Sequence, residues 1–477
     1  MQGMVRTRIA PSPTGFAHIG TIYQVLFDFA FARKNKGQFI VRIEDTDRAR
    51  FVAGAEKVIF EALQWFHLES DEDAIKGGPY GPYRSSERLA QYQKYAKELI
   101  EKGYAYYCFC TKERLEQMRN EQQRTGQLTK YDKHCLHLDS KEIAANIHAG
   151  KPFVMRLNIP QNQKTTVHDE IAGDVEFDTN TLDDQVLIKS DGFPTYHLAV
   201  VIDDYLMKIS HVFRGTEWLP STPKHVLLYK FLGWEKSIPQ FIHLPLILNT
   251  DGKGKLSKRQ TAAAVSFYKE EGYLPEAILN YLSNIVWNHP EGKEIYSLEE
   301  FIQLFEIKDL TSKGAKFDLA KLNWINGVYI RNMSGEKLAD CLLAFSPQYE
   351  ILEQTIFYKI VALAQSRIET LKNFDALARH FIEEPVVTLD EKQREIADDL
   401  VLSLQTIDVW NTDKILETLK EVLAKHKVKM GVLYTILTGQ PRGLPLPETL
   451  VILGKEHTLK RLCEPPIESG VKQSRRV

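Results

Sequence analysis

Two segments of this 477-residue chain carry residue types suited to phosphoryl chemistry. Pro11-Ser-Pro-Thr-Gly15-Phe-Ala-His18-Ile-Gly20 lies between a short strand pattern and an apolar-periodic helix pattern. In open α/β sheets, ligands bind beyond the carboxyl ends of the strands, and phosphates favour the adjoining helix N-terminus. Gly15 and Gly20 let the backbone approach a ligand closely, and His18 can donate to a phosphate oxygen on which charge develops. The second segment, Asn249-Thr-Asp-Gly-Lys-Gly254, runs into Lys255-Leu-Ser-Lys258-Arg259. Two lysines on a glycine-containing loop suit a transition state whose charge must be neutralised and then released. Alone, such a pentapeptide reads as solvated basic surface. Paired with the histidine loop, it reads as the other side of a nucleotide site.

A third group has metal-ligand chemistry. Cys108-x-Cys110 and Cys135-x-His137 are separated by 24 residues and offer four ligands for tetrahedral Zn²⁺. No acid–base group lies among them, so the expected role is structural. Cys341 and Cys463 read as ordinary thiols, and five cysteines in all exclude a disulfide scaffold.

The elements that must position these groups follow from periodicity. Arg6–Ala10 reads as a strand, Ile19–Lys36 as a helix closed by Gly37, 39–43 as a strand and 54–66 as a helix. This β-α-β-α opening predicts a parallel sheet with right-handed crossovers. Strand patterns follow at 154–157, 186–189, 197–202, 211–213 and 241–244, with helix patterns at 87–102 and 221–232. Beyond Lys269 the pattern turns helical, with an amphipathic stretch over 274–287.

The expected architecture is an α/β, Rossmann-like catalytic domain (1–84 and 196–250) with an insertion (85–195) that carries the zinc site. A segment holding the lysine loop (251–330) and an all-helical region (331–477), divided in two, complete the chain.

The 61 Lys+Arg and 63 Asp+Glu give a net charge of −2, which excludes a polybasic coat protein. Locally the balance differs: residues 420–461 hold eight Lys/Arg (420, 425, 427, 429, 442, 455, 460, 461) against three Glu, a surplus able to meet phosphates. No stretch approaches the ~20 apolar residues of a membrane span, and the N-terminus lacks a signal-peptide pattern. The expectation is a soluble cytoplasmic protein.

Together, the His-x-Gly and Lys-x-Ser-Lys loops resemble the paired signatures of class I aminoacyl-tRNA synthetases. More narrowly, Ser12-Pro-Thr-Gly15, Arg42-Ile-Glu-Asp-Thr-Asp47, Gly81-Pro-Tyr-Arg-Ser-Ser-Glu87, Asp191-Gly-Phe-Pro-Thr-Tyr-His197 and Arg214-Gly-Thr-Glu-Trp218 resemble the bacterial-type glutamyl-tRNA synthetase family. The resemblance continues through Phe317–Asn326 and Leu453–Glu456, and it implies that the insertion (85–195) binds the tRNA acceptor stem, 251–330 contacts the stem and the helical region (331–477) binds the anticodon. It implies ATP-dependent ligation of L-glutamate to tRNA(Glu) through a glutamyl-adenylate, with Mg²⁺ on the phosphates, structural Zn²⁺ in those members that have the site, and a monomeric enzyme. It places glutamate-binding residues at Arg8, Ser12, Glu44, Tyr196 and Arg214. It also implies catalytic roles for His18, Lys258 and Lys255, and ATP contacts at Thr14, Gly15, His18, Gly20, Glu217 and Lys258.

Residue chemistry agrees. Glutamate brings two carboxylates and an ammonium; arginines match the former bidentately, and a glutamate matches the latter. Which arginine takes which carboxylate stays open at this stage, as does an ion pair between Arg8 and Glu44. Two segments depart from the family pattern, Thr21-Ile-Tyr-Gln24 and Tyr434–Gly439, and both bear on tRNA contacts rather than on the reaction.

Overall fold

The computed structural model describes residues 3–15, 17–47, 50–249, 252, 254, 256, 263–314 and 316–463. The chain divides into two compact units, Met1–Phe267 with Ile278–Asp318, and Tyr268–Ala277 with Leu319–Val477.

In the first unit, β1 (Arg6–Ile9) pairs in parallel with β2 (Gln38–Val41), and α1 (Ile19–Lys34) makes the crossover. Ten residues of α1 are buried, so this helix is apolar nearly all round and sits within the core. It ends two residues before the predicted boundary, at the cap Asn35. Gly37 is required for a different reason than helix capping: a Cβ there would lie 2.2 Å from the Val5 carbonyl oxygen, so only glycine lets the chain return beside β1. The helix α2 (Ala55–Trp65) follows.

The next segment contains α3 (Leu89–Glu101), β3 (Ala105–Cys108), α4 (Lys112–Arg124), α5 (Ser140–His148) and β4 (Val154–Leu157). An antiparallel hairpin comes next, β5 (Lys164–Asp169) with β6 (Gly173–Asp178), and then β7 (Val186–Ile188). Strands β3, β4 and β7 form one antiparallel sheet.

Residues 197–202, read from sequence as a strand, belong instead to a helix, α6 (Tyr196–Leu206). Leu198 through Asp204 are all buried there. A short run of apolar, β-branched residues buried on every side carries no period that separates helix from strand. The helix packs with Leu99 of α3 and with Leu227 and Leu228 of α7 (Thr222–Leu232) in one core cluster.

Parallel strands β8 (His211–Gly215) and β9 (Gln240–Leu244) pair with each other and, with the hairpin, form a four-stranded sheet in the order β6-β5-β9-β8. The hairpin joins β9 where Asp169 registers with Phe241. The Arg6 N–H donates to Ser210 Oγ at 2.8 Å and the Ser210 N–H to the Arg6 carbonyl at 3.0 Å, which sets β1 beside the entry to β8.

The second unit is helical in its described residues. One core cluster there joins Ile396, Leu400 and Leu404 to Ile415, Leu419, Leu433 and Leu450.

Candidate active site

Three parallel strands and one helix start deliver the functional groups, the strands at or near their carboxyl ends. Arg8 lies on β1 with Ser12 just after it; Glu44 follows β2; Arg214 is on β8; and Tyr196 is the first residue of α6. All five line one cavity of about 410 Å³. A neighbouring cavity of about 440 Å³ is bordered by His18, Gly20, Thr21 and Glu217. A smaller one, about 200 Å³, lies against Ser12, Thr14, Gly15 and His18 and is backed by Ile59 and Leu63 of α2.

Gln24 and Trp218 border both large cavities. They stand where two substrates would meet, and the motif reading assigns neither a role. Trp218 sits beside Glu217 in a motif already singled out. Gln24 breaks the apolar face of α1 and ends the Thr21–Gln24 segment that departs from the family pattern, a departure read as bearing on tRNA contacts rather than on this site.

His18 is the N-cap of α1, and its Nδ1 accepts the Gly20 N–H at 2.9 Å. That bond leaves the proton of a neutral ring on Nε2, so the side chain presents a donor at the helix N-terminus, where anions are favoured. Gly20 is closely covered by this ring, since a Cβ there would lie 3.0 Å from Nδ1. Lys255 and Lys258 lie outside the described residues.

The charged groups around the 410 Å³ cavity fall into two arrangements. In the first, Arg8 binds both carboxylate oxygens of Asp204 at 3.1–3.3 Å. Arg42 reaches Asp204 at 2.9 Å, Asp203 at 3.5 Å and Glu44 at 3.4 Å. Arg88 holds Asp203 at 2.7 Å, and the Tyr92 hydroxyl donates to the same carboxylate at 2.7 Å. Arg8, Arg42 and Arg88 thus face Asp203, Asp204 and Glu44, a buried lattice with matched charges. Arg8 does not pair with Glu44; its partner is Asp204, and Glu44 leans on Arg42. Burial lifts the Glu44 carboxyl to about 7, the nearby Arg42 and Arg8 opposing it. Asp203 and Asp204 escape the sequence reading because their segment looks like a strand. Two adjacent aspartates closing an apolar run are the available signal, since buried carboxylates demand cations.

In the second arrangement Arg214, 3% exposed, has no carboxylate partner among the described residues. Its Nε donates to His243 Nε2 at 3.0 Å, Nη1 to the Tyr196 hydroxyl at 3.1 Å, and Nη2 to Thr222 Oγ1 at 2.6 Å. The His225 Nδ1 lies 3.3 Å from Nη1. All four are neutral acceptors. Burial pulls the Arg214 guanidinium below its ordinary value, as expected for a desolvated cation.

In the cysteine segment, Cys108, Cys110 and Cys135 bring their sulfurs within 4.8 Å of one another. Tetrahedral zinc at ~2.3 Å from each thiolate separates sulfurs by ~3.8 Å, so the group fits the ion. His137 lies outside the group: the 3₁₀ turn His134–His137 buries Cys135 and leaves His137 exposed. The fourth side is occupied by Tyr131, whose hydroxyl is 3.4 Å from Cys108 Sγ and 3.2 Å from Cys110 Sγ and accepts the Cys135 N–H at 3.0 Å.

Among the eight basic residues of 420–461, three are already committed, Lys425 being paired with Asp399 at 2.6 Å. Arg461 is buried on Glu384 at 2.7 Å, and the Lys455 ammonium holds the carbonyls of Gln405 and Ile407 at 2.8 and 2.6 Å. The surplus able to meet a polyanion is correspondingly smaller.

A parallel sheet whose strand ends converge on a histidine-capped helix, followed by a helical region, defines a class I tRNA synthetase. The family model described as "tRNA synthetases class I (E and Q), catalytic domain" matches residues 4–324, and "Anticodon binding domain" matches 337–464. Glutamate–tRNA ligases of Thermus thermophilus and Clostridioides difficile are 46% and 42% identical to this chain. Both matches cover 96% of this chain, with 99% and 98% of the respective relatives. A crystal structure of a glutamate tRNA ligase from Elizabethkingia meningosepticum, in complex with its amino acid, superposes with a TM-score of 0.84 at 36% identity. That match covers 96% of this chain and 98% of the other. The chain belongs to the glutamate–tRNA ligase family.

Proposed function

We propose that this protein ligates L-glutamate to the 3′ end of tRNA(Glu), driven by ATP. One observation supports the amino-acid assignment beyond family membership: a buried guanidinium without a carboxylate partner among the described residues shares a cavity with a buried glutamate carboxylate, beside a second cavity bordered by His18. The guanidinium calls for an anion, and the carboxylate offers a partner for an ammonium.

In the first step a carboxylate oxygen of glutamate attacks the α-phosphorus of ATP, and pyrophosphate leaves. In the second, the terminal ribose 2′-hydroxyl of the tRNA attacks the acyl carbon, and AMP leaves. The α-carboxylate gives up its charge when the adenylate forms, whereas the side-chain carboxylate keeps its charge through both steps. A permanently buried cation needs the permanent anion, so we assign the side-chain carboxylate to Arg214. Glu44 takes the ammonium, Tyr196 and Ser12 line the path between them, and Arg8 borders the same cavity while tied to Asp204. His18 Nε2–H donates to the phosphate, with Gly15, Thr14, Gly20 and Glu217 around the nucleotide. Lys258 and Lys255 take the charge-neutralising role the family implies. Mg²⁺ arrives on the ATP phosphates. Positioning and charge stabilisation account for most of the rate, because in-line displacement requires alignment more than covalent help.

We assign residues 85–195 to the acceptor end of the tRNA and 331–477 to its anticodon, with the protein acting as a cytoplasmic monomer. No helix among the described residues is long and apolar enough to cross a membrane. Zinc, held by Cys108, Cys110 and Cys135 with the Tyr131 hydroxyl completing the set, stabilises the insertion and takes no part in the reaction. Metal analysis is expected to find one zinc per chain, and Cys135→Ser is expected to lose it together with several degrees of thermal stability. Retention of zinc in that variant would remove the assignment.

The deciding experiment is charging of tRNA(Glu) and tRNA(Gln) transcripts with labelled glutamate or glutamine. Glutamate on tRNA(Glu) is the expected product. Attachment of glutamine at comparable kcat/KM would overturn the reading.

A further inference from the structure

Arg214 is held in place without being neutralised, and the way this is done is specific. Asp169, the last residue of β5, is brought to β9 by the single parallel register between Asp169 and Phe241. Its Oδ1 accepts the N–H groups of Ile171 and Ala172 at 3.0 and 2.7 Å. Its Oδ2 accepts the His243 backbone N–H at 3.1 Å and faces His243 Nδ1 at 2.6 Å. Three converging backbone N–H donors mark Asp169 as an ionised acceptor with no proton to give, so the ring proton of His243 sits on Nδ1. The other nitrogen, Nε2, is therefore the lone-pair acceptor that meets the Arg214 Nε–H. The imidazole stands between an anion and a cation, transmits orientation and keeps the charges apart.

On the opposite side the same tautomer logic repeats. His225 Nδ1 faces Arg214, so its proton is on Nε2, directed at His197 Nδ1 at 3.0 Å. Burial holds His225 and His243 below their ordinary values, and His197 at about 4, so these rings stay neutral at physiological pH.

We propose that Asp169 and His243 are positioning residues that lock the Arg214 guanidinium through a neutral acceptor, and that this neutrality makes the pocket select a side-chain carboxylate over a carboxamide. The proposal rests on Arg214 being the site of the glutamate side chain. A carboxylate at position 243 would orient Arg214 equally well and satisfy its charge from within, as Asp204 does for Arg8. Glutamate would then meet a pocket with no net attraction for it, and glutamine would lose its disadvantage.

The test is ATP–pyrophosphate exchange with glutamate, glutamine and ATP varied separately. His243→Glu is expected to raise the glutamate KM by ~50-fold or more and to shrink the glutamate-over-glutamine ratio of kcat/KM by a similar factor. The ATP KM should stay within about twofold. His243→Gln keeps a neutral acceptor and is expected to restore most of the glutamate affinity, to within about fivefold of the parent. Thr222→Asp supplies an independent carboxylate from the first residue of α7, where an acid suits the helix dipole, and should repeat the signature even if His243→Glu fails to fold. Equal effects of His243→Glu and His243→Gln, or parallel rises in the glutamate and ATP KM, would overturn the proposal. Arg214→Ala separates the two levels. If it leaves the glutamate KM unchanged, the carboxylate-site reading falls and the proposal with it. If it raises that KM while both acidic variants do not, the proposal alone falls.

Discussion

Arg8 and Arg214 line the same cavity, and both are 3% exposed, yet their surroundings are built on opposite principles. Arg8 belongs to a lattice in which three arginines face three carboxylates, so its cation is compensated before any ligand arrives. Arg214 is held by His243, His225, Tyr196 and Thr222, which offer lone pairs without charge. The first arrangement is a structural solution: it holds β1, β2, α3 and α6 together through ions that must be paired once buried. The second is an unfinished ion pair, completed by the substrate. Burial of a cation is costly in both places; in one the fold supplies the anion, and in the other the ligand does.

This contrast can be broken most directly at Arg214. Arg214→Ala is expected to reduce kcat/KM for glutamate by ~10²–10³-fold, the equivalent of about 3–4 kcal/mol, in the range for removing one partner of a buried ion pair. The ATP KM should be unaffected, and thermal unfolding should be unchanged or shifted upward, because the free protein loses an uncompensated charge. A large fall in Tm would place Arg214 among the structural ions.

Asp204→Asn tests the other side. It leaves Arg8 and Arg42 short of a carboxylate and is expected to cost about 3–5 kcal/mol of stability by denaturant unfolding. The burial of Asp204 opposes ionisation, but Arg8 and Arg42 hold its carboxyl below the ordinary value. Its stabilising charge is therefore present above the unfolded pKa and is lost as pH falls through the folded one, so the cost of Asp204→Asn should shrink in acid. Stability equal to the parent at neutral pH would dissolve the distinction between lattice and site.

Glu44 sharpens the comparison, since it belongs to the lattice and borders the substrate. Its carboxyl, raised to about 7, must be ionised to meet an ammonium. The glutamate KM is expected to be lowest above pH 7 and to climb as pH falls through that value, approaching about tenfold per pH unit. Glu44→Gln should raise the KM and flatten the profile. A parent profile already flat between pH 6 and 8 would assign the ammonium elsewhere.

The smallest effect expected is in the helical unit. Lys420→Ala should lower tRNA affinity modestly and reduce the salt slope by about one. Arg461→Ala should leave that slope alone and lower stability instead, because its guanidinium is engaged by Glu384 and the carbonyls of His380 and Leu437.

Much of the site was legible without coordinates. Arg8, Ser12, Glu44, Tyr196 and Arg214 follow from chemistry and motif and share one cavity; His18, Gly20 and Glu217 share the next. Strands β1, β2, β4, β8 and β9 fall within a residue or two of their predicted places because alternation or turn residues mark them. The misreading at 197–202 concealed Asp203 and Asp204, since helix and strand look alike when a short segment is buried on all sides. His137 illustrates a second kind of limit: ligand spacing selects residue types, whereas a single 3₁₀ turn decides which side chains face inward.

What the sequence determined by itself is the reaction: histidine and lysine loops of fixed chemistry in a strand–loop–helix order, and two arginines with a glutamate matched to an acidic amino acid. Charge and donor geometry are properties of residue types, and they survive without knowledge of the fold. Which arginine is already paired, and which awaits a substrate, belongs to tertiary structure alone. Asp204 lies 196 positions from Arg8, and Asp169 lies 74 positions from His243. Only the packing of distant segments sets an anion against one guanidinium and interposes the neutral ring of His243 between an anion and the other.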